Sequence, residues 1–230
     1  MPVSDDAPAF FTDNGHVFIA GITGSRADMG GKTALANWWL CDPLGDRDLR
    51  IFYNAKGSTC VRGERVHTVE QLSRRMADGV RHFDFVPETQ DWVTPHERLR
   101  QFIAELPTEM SKAVVHDETP EYEGETGSLA WFVKVAGQSD GVHAANCKSL
   151  VLAQDPTDTE QSTRKQTPTH VWVGPTSTDY RQYFASKAFS NHFDAIIDEQ
   201  DPYEWTVMQG PRDEDRERFA PVPEEYADAQ

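Results

Sequence analysis

Six short apolar runs recur along the chain, separated by segments of helical or loop character, and this alternation restricts the fold more than any other feature of the sequence. The runs are His16-Val17-Phe18-Ile19-Ala20, Arg50-Ile51-Phe52-Tyr53-Asn54, His82-Phe83-Asp84-Phe85-Val86, residues 112–116, Ser149-Leu150-Val151-Leu152-Ala153 and His170-Val171-Trp172-Val173. They are rich in β-branched and aromatic side chains, as strands buried on both faces are. Residues 34–40 read as a helix that stops before Asp42-Pro43. Residues 69–77 place Leu72 and Met76 four apart and end at Gly79. Residues 95–106 open on Thr94-Pro95, a cap-and-first-turn pair, and set Leu99, Phe102, Ile103 and Leu106 on one face. Residues 128–137 and 179–189 also read as helical. Strands alternating with helices predict an α/β fold, a mostly parallel sheet with helices on both faces. The polar stretch 155–168 reads as a mobile loop and 203–208 as an edge strand. Expected around one α/β domain (15–210) are a short N-terminal arm (1–14) and an exposed tail (211–230) rich in Pro, Glu and Asp.

Four segments carry chemistry. Gly21-Ile22-Thr23-Gly24-Ser25 and Gly31-Lys32-Thr33 lie between the first strand and the first helix, where a phosphate-binding loop belongs. Such a loop needs backbone N–H groups curled around phosphates without Cβ atoms in the way, an ammonium on the outer phosphates and a hydroxyl on Mg²⁺. Lys32 and Thr33 stand where the last two are required. The spacing is irregular: omitting Arg26 to Gly30 leaves Gly-Ile-Thr-Gly-Ser-Gly-Lys-Thr, so the loop reads as carrying a five-residue insertion that bulges away, or as a loop of different shape. The plain alternative is a glycine-rich surface turn. Next, Val114-Val115-His116-Asp117-Glu118 delivers two adjacent carboxylates at a strand's C-terminal end, the position at which one carboxylate holds Mg²⁺ and the next polarises an attacking water. The alternative is a solvated start to an acidic loop. Gln154, at the end of the fifth run, is an amide within reach of a terminal phosphate or the water. Arg181, after the sixth, is a guanidinium able to neutralise developing charge in its own subunit or a neighbour's, or a surface arginine paired with a carboxylate.

Other residues carry less. His143 and Cys147 have helical ligand spacing but too few companions for zinc, and Trp38-Trp39 reads as packing. Three cysteines without CxxC spacing argue against a disulfide framework, no apolar run is long enough to cross a membrane, and the N-terminus lacks the pattern of a secretory signal. The formal charge is −16, with 15 Arg and only 7 Lys. Such acidity opposes non-specific binding to nucleic acid at ordinary salt. Many carboxylates and few lysines also characterise proteins of saturated-salt cytoplasm, where a screening length of about 3 Å or less makes self-repulsion cheap. An acidic mesophilic protein is the alternative. In the halophilic case local basic residues decide DNA binding, and Arg164-Lys165 is the best such pair.

Taken together, the ordered motifs resemble the FtsK/HerA group of P-loop ATPases, with a RecA/ASCE-like sheet. The resemblance runs from His16 to about Phe184 and rests on Gly-Ile-Thr-Gly-Ser…Gly-Lys-Thr, Val114-Val115-His116-Asp117-Glu118, Ala153-Gln154-Asp155-Pro156, and Thr167-Pro168-Thr169-His170-Val171-Trp172-Val173 followed by Ser177-Thr178-Asp179-Tyr180-Arg181. It implies ATP held by Thr23, Gly24, Ser25, Gly31, Lys32 and Thr33, Mg²⁺ at Thr33 and Asp117, and catalysis by Glu118, Gln154 and Arg181. It also implies a homo-oligomeric ring, commonly a hexamer, through which double-stranded DNA passes and contacts Arg164 and Lys165 by its phosphates. At this length the chain is most similar to the small genome-packaging ATPases of membrane-containing icosahedral viruses. The resemblance thus implies capsid or portal-vertex partners, work in the host cytoplasm at the packaging vertex and, given the acidity, a haloarchaeal host. Tyr180 stands where the group has Ser. The competing readings are a cellular ATPase of DNA transfer or repair and a non-catalytic nucleotide-binding assembly protein.

Overall fold

The computed structural model describes residues 9–21, 31–58, 60–119, 128–134, 146–154, 156–157, 159, 161–187, 189–201 and 203–227. Nine strands form one sheet: β1 (Val17–Ala20), β2 (Leu49–Tyr53), β3 (Glu64–Val66), β4 (His82–Phe85), β5 (Lys112–His116), β6 (Cys147–Ala153), β7 (Thr169–Val173), β8 (Trp205–Met208) and β9 (Arg216–Phe219), in the order β3-β4-β2-β5-β6-β1-β7-β8-β9. All pairings from β3 to β7 are parallel; β8 and β9 are antiparallel additions at one edge. The helices are α1 (Lys32–Cys41), α2 (Val69–Ala77), α3 (Val93–Glu105), α4 (Ser128–Lys134), α5 (Gln161–Gln166), α6 (Arg181–Ser186), α7 (Ser190–Glu199) and α8 (Glu224–Ala227). The expected mostly parallel sheet with helices on both faces is the fold observed.

Alternation along the strands builds the two core layers, because successive side chains point to opposite faces. Val17, Ile19, Phe52 and Val115 face α1 and α8, where Trp39 and Leu35 are buried. Phe18, Ala20 and Val151 face α4, α6 and α7, while Ile51, Tyr53 and Val114 face α2 and α3. Trp38 and Trp39 pack as expected, and the indole N–H of Trp39 donates to the carbonyl of Phe11 at 2.9 Å.

Several boundaries differ from expectation. In the arm, Phe10 and Phe11 are buried beside Trp39 while Thr12 and Asp13 stay exposed, and the fully buried Lys148 ammonium donates to Phe10 O (2.7 Å), Gly15 O (2.8 Å) and Asp13 Oδ1 (2.9 Å). Helix α3 begins at Val93, before Thr94-Pro95, with Trp92 at its N-cap; Asp91, one residue earlier, accepts from the Val93 and Thr94 amides through Oδ1. The polar stretch 155–168 contains α5 instead of being loop throughout. Beyond Pro211 most described residues are exposed, but the chain is anchored: β9 pairs with β8, which is therefore not the edge, and Tyr226 of α8 packs against α1 with the Arg62 guanidinium 4.0 Å from its ring centroid. Cys147 lies on a strand and not on a helix, and His143 falls outside the described residues.

Burial leaves an acid-sensitive signature. His16 and His82 are pushed down to about 4, His96 and His170 to about 3, and His116 well below its ordinary value, in each case chiefly because burial disfavours the charged ring. Unfolded histidine binds its proton near pH 6.5, so as pH falls below that value the unfolded chain takes up protons that the folded one refuses. Each ring then removes up to about 1.4 kcal/mol of stability per pH unit, until its folded value is reached. Asp84 and Asp117, raised by burial, act in the opposite sense over part of the same range. Five rings outweigh two carboxyls, so the melting temperature should fall steeply between pH 6.5 and 5, with net proton uptake on unfolding. A melting temperature unchanged over that interval, at constant salt, would refute this account.

Candidate active site

The C-terminal ends of β1, β5 and β6 lie side by side, since β6 pairs in parallel with both neighbours. Three of the four motifs lead away from these ends. At β1 the chain passes through Gly21 into residues 22–30, which lie outside the described residues, as do Thr23, Gly24, Ser25 and the insertion. It returns at Gly31, which precedes α1. Both flanking glycines are dictated by close approach. A Cβ on Gly21 would stand 2.3 Å from the Val173 carbonyl oxygen, and one on Gly31 would stand 2.9 Å from Val173 Cγ1. Lys32 opens α1 buried, its ammonium donating to the Gly21 carbonyl at 2.7 Å, so the two ends of the glycine-rich segment are tied together. Thr33 follows, half-buried.

Beyond β5, Asp117 is buried and its amide donates to Tyr53 O at 3.2 Å. Glu118 takes a left-handed backbone (φ 54°), and its amide donates to Asp117 Oδ1 at 3.1 Å. This turn brings the second carboxylate to the same end of the sheet instead of to the opposite face. Thr119 anchors it by donating to Leu152 O at 2.9 Å. From the end of β6, Gln154 donates its amide to both Glu118 oxygens, at 2.9 and 3.1 Å. Lys56, which belongs to no motif, comes from the turn after β2 and forms an ion pair of 2.5 Å with Glu118 Oε1.

The charges act on one another. Burial pushes Asp117 up to about 7, with Glu118 adding to the shift and Lys56 and Lys32 opposing it. Burial pushes Lys32 down to about 8, with Asp117 and Glu118 holding it up and Lys56 pushing it further down. A buried carboxylate and a hydroxyl at a helix start are hard-oxygen donors. Mg²⁺ keeps several waters and takes few protein ligands besides phosphate oxygens, so Thr33 and Asp117 fit it. Among the described residues no three His, Cys, Asp or Glu side chains group as a protein-only metal cage.

Three predicted residues make none of these contacts. Arg181 opens α6 in solvent, 3.5 Å from Asp194 and with its guanidinium 4.5 Å from the Phe193 ring centroid. Arg164 and Lys165 lie in the last turn of α5, just before the N-terminal end of β7, which runs parallel to β1, whereas Lys32 follows the C-terminal end of β1. Lys187 joins them, donating to Arg164 O at 2.8 Å, and burial together with those two cations pushes it down to about 8.

No family model matches the chain, and no curated protein does. Solved structures do. The genome packaging NTPase B204 from Sulfolobus turreted icosahedral virus 2, in complex with AMPPCP, matches with a TM-score of 0.68 at 11% identity, over 91% of this chain and 99% of its own. In complex with ATP-γS it matches with a TM-score of 0.67 at 9% identity, over 91% and 98%. The pCW3 conjugation coupling protein TcpA, in its monomer form with ATPγS, gives 0.54 at 15% identity, over 90% of this chain and 60% of its own. At these identities the likeness is one of fold: the chain has the P-loop NTPase fold that its resemblance to FtsK/HerA-type packaging ATPases implied. Among the described residues no helix is long and apolar enough to cross a membrane.

Proposed function

We propose that this chain is an ATP-hydrolysing motor that moves double-stranded DNA into a preformed viral capsid. The reading is carried by the convergence of Lys32, Asp117, Glu118 and Gln154, from three different strand ends, on one end of a P-loop NTPase sheet. In this reading the glycine-rich segment with Thr23, Gly24, Ser25 and Gly31 curls its amides around the phosphates of ATP. Lys32 exchanges the Gly21 carbonyl for an outer phosphate oxygen. Thr33 and Asp117 hold Mg²⁺, which when bound neutralises phosphate charge. Glu118 polarises the attacking water and Gln154 keeps its carboxylate aimed. Arg181, exposed and held in its own chain by a pair of little strength, is free to reach the nucleotide of a neighbouring subunit, which fits a homo-oligomeric ring. Arg164 and Lys165, reinforced by Lys187, offer phosphate contacts without base readout. Capsid or portal-vertex proteins as docking partners, action in the host cytoplasm and a halophilic setting belong to the same reading.

The test is hydrolysis of ATP at molar salt with Mg²⁺, with and without double-stranded DNA. Turnover that rises with DNA is expected. The pair Arg164→Glu and Lys165→Glu should lose that rise and reduce the salt dependence of DNA affinity by roughly two units of log–log slope. Hydrolysis indifferent to DNA would remove translocation from the reading. Tight ATP binding without any turnover would leave a nucleotide-binding assembly protein.

A further inference from the structure

Among the described residues, Lys56 is a charged side chain at this site that no motif of the sequence announces, and its position is built rather than incidental. Strand β2 runs parallel to β5 in a register that sets Tyr53 opposite His116, so the turn leaving β2 emerges next to Asp117 and Glu118. That turn is locked by the fully buried Asn54. Its side-chain amide donates to Ser58 O and to Asp84 Oδ1, both at 2.8 Å, and its Oδ1 accepts from the Ser58 amide at 2.8 Å. The Gly57 amide closes the turn on Asn54 O at 3.1 Å, with Gly57 at φ 69°, a conformation glycine takes without steric cost. Asp84 is in turn gripped by Arg65 at 2.7 Å. The stem of Lys56 therefore leaves a fixed backbone, and its ammonium meets Glu118 Oε1 at 2.5 Å while Gln154 holds the same carboxylate from the β6 side.

We infer that Lys56 is a positioning residue for hydrolysis: with Gln154 it clamps the Glu118 carboxylate from two sides, so that one orientation of that carboxylate is presented to the attacking water. The Glu118 side chain is 13% exposed, and a single amide donating to both oxygens leaves the plane of the carboxylate free to swing with it. A cation on one oxygen removes that freedom. Loss of such orientation slows the chemical step without weakening binding of the nucleotide, since Lys56 acts through Glu118.

This inference rests on the hydrolytic reading, and the experiment separates the two. Steady-state ATP hydrolysis is measured for the wild type, Lys56→Gln, Lys56→Arg, Glu118→Gln and the double variant Lys56→Gln/Glu118→Gln, with binding of a fluorescent ATP analogue and thermal melting followed in parallel. Lys56→Gln should lower kcat about 10²-fold, with KM, analogue affinity and melting temperature near wild type, and Lys56→Arg should recover most of the turnover. In the Glu118→Gln background, Lys56→Gln should cost nothing further, because the group it acts through is already gone. Full additivity in that cycle, a loss confined to KM, or turnover that rises on removing Lys56 would each overturn the positioning role. A wild type that binds ATP without hydrolysing it would instead overturn the function on which it rests.

Discussion

Replacing Lys32 with alanine should abolish measurable ATP turnover and sharply weaken nucleotide binding. The ammonium is buried and donates to the Gly21 carbonyl, which places it inside the closure of the glycine-rich segment and not on the surface. Charge stabilisation by a single preorganised donor in a dry site is typically worth about 10²–10³ in rate, and Lys32 also helps keep the neighbouring Asp117 carboxyl in its charged form. The loss should therefore reach or exceed that range. Folding should survive, because burial already disfavours the charged form of this lysine and removing it relieves that cost. Turnover close to wild type in a folded Lys32→Ala protein would remove the phosphate-loop assignment.

Glu118→Gln should separate binding from chemistry. The amide keeps the size of the side chain and still offers an oxygen to Lys56 and Gln154, and the left-handed backbone at 118 strains glutamine no more than glutamate. What disappears is the carboxylate that polarises water, a contribution of about 10²–10⁴ in rate. The variant should bind ATP with near-native affinity, melt with the wild type and hydrolyse more slowly by that factor. A reduction of only a few-fold would make Glu118 a structural partner of Lys56 instead.

Much of this architecture was legible in the chain because it rests on short-range patterns. The strands β1, β2, β4, β5, β6 and β7 are compact apolar runs, since a strand covered on both faces must be apolar throughout. The convergence of Lys32, Asp117, Glu118 and Gln154 was legible because parallel strands bring the residues that follow them to one end of the sheet. Elements without such a signature were missed. β3 (Glu-Arg-Val) and β9 (Arg-Glu-Arg-Phe) are short, polar edge strands, formed because a neighbour offers unpaired backbone groups and not because their own side chains demand it.

The alternation of strand and helix and the residues that follow each strand end were thus determined by the sequence alone, because side-chain period and chain adjacency are local quantities. Whatever joins residues distant in the chain was decided by the tertiary structure. Lys56 meets Glu118 because of the β2–β5 register, Lys148 ties Phe10, Asp13 and Gly15 to β6 through bonds across more than a hundred positions, and Arg181 turns outward to Asp194 and Phe193. A lone lysine in a polar turn and an arginine at a helix start carry no periodicity that announces a partner. Only the packing of the sheet sets which charges come within reach, and burial then decides how strongly they act on one another.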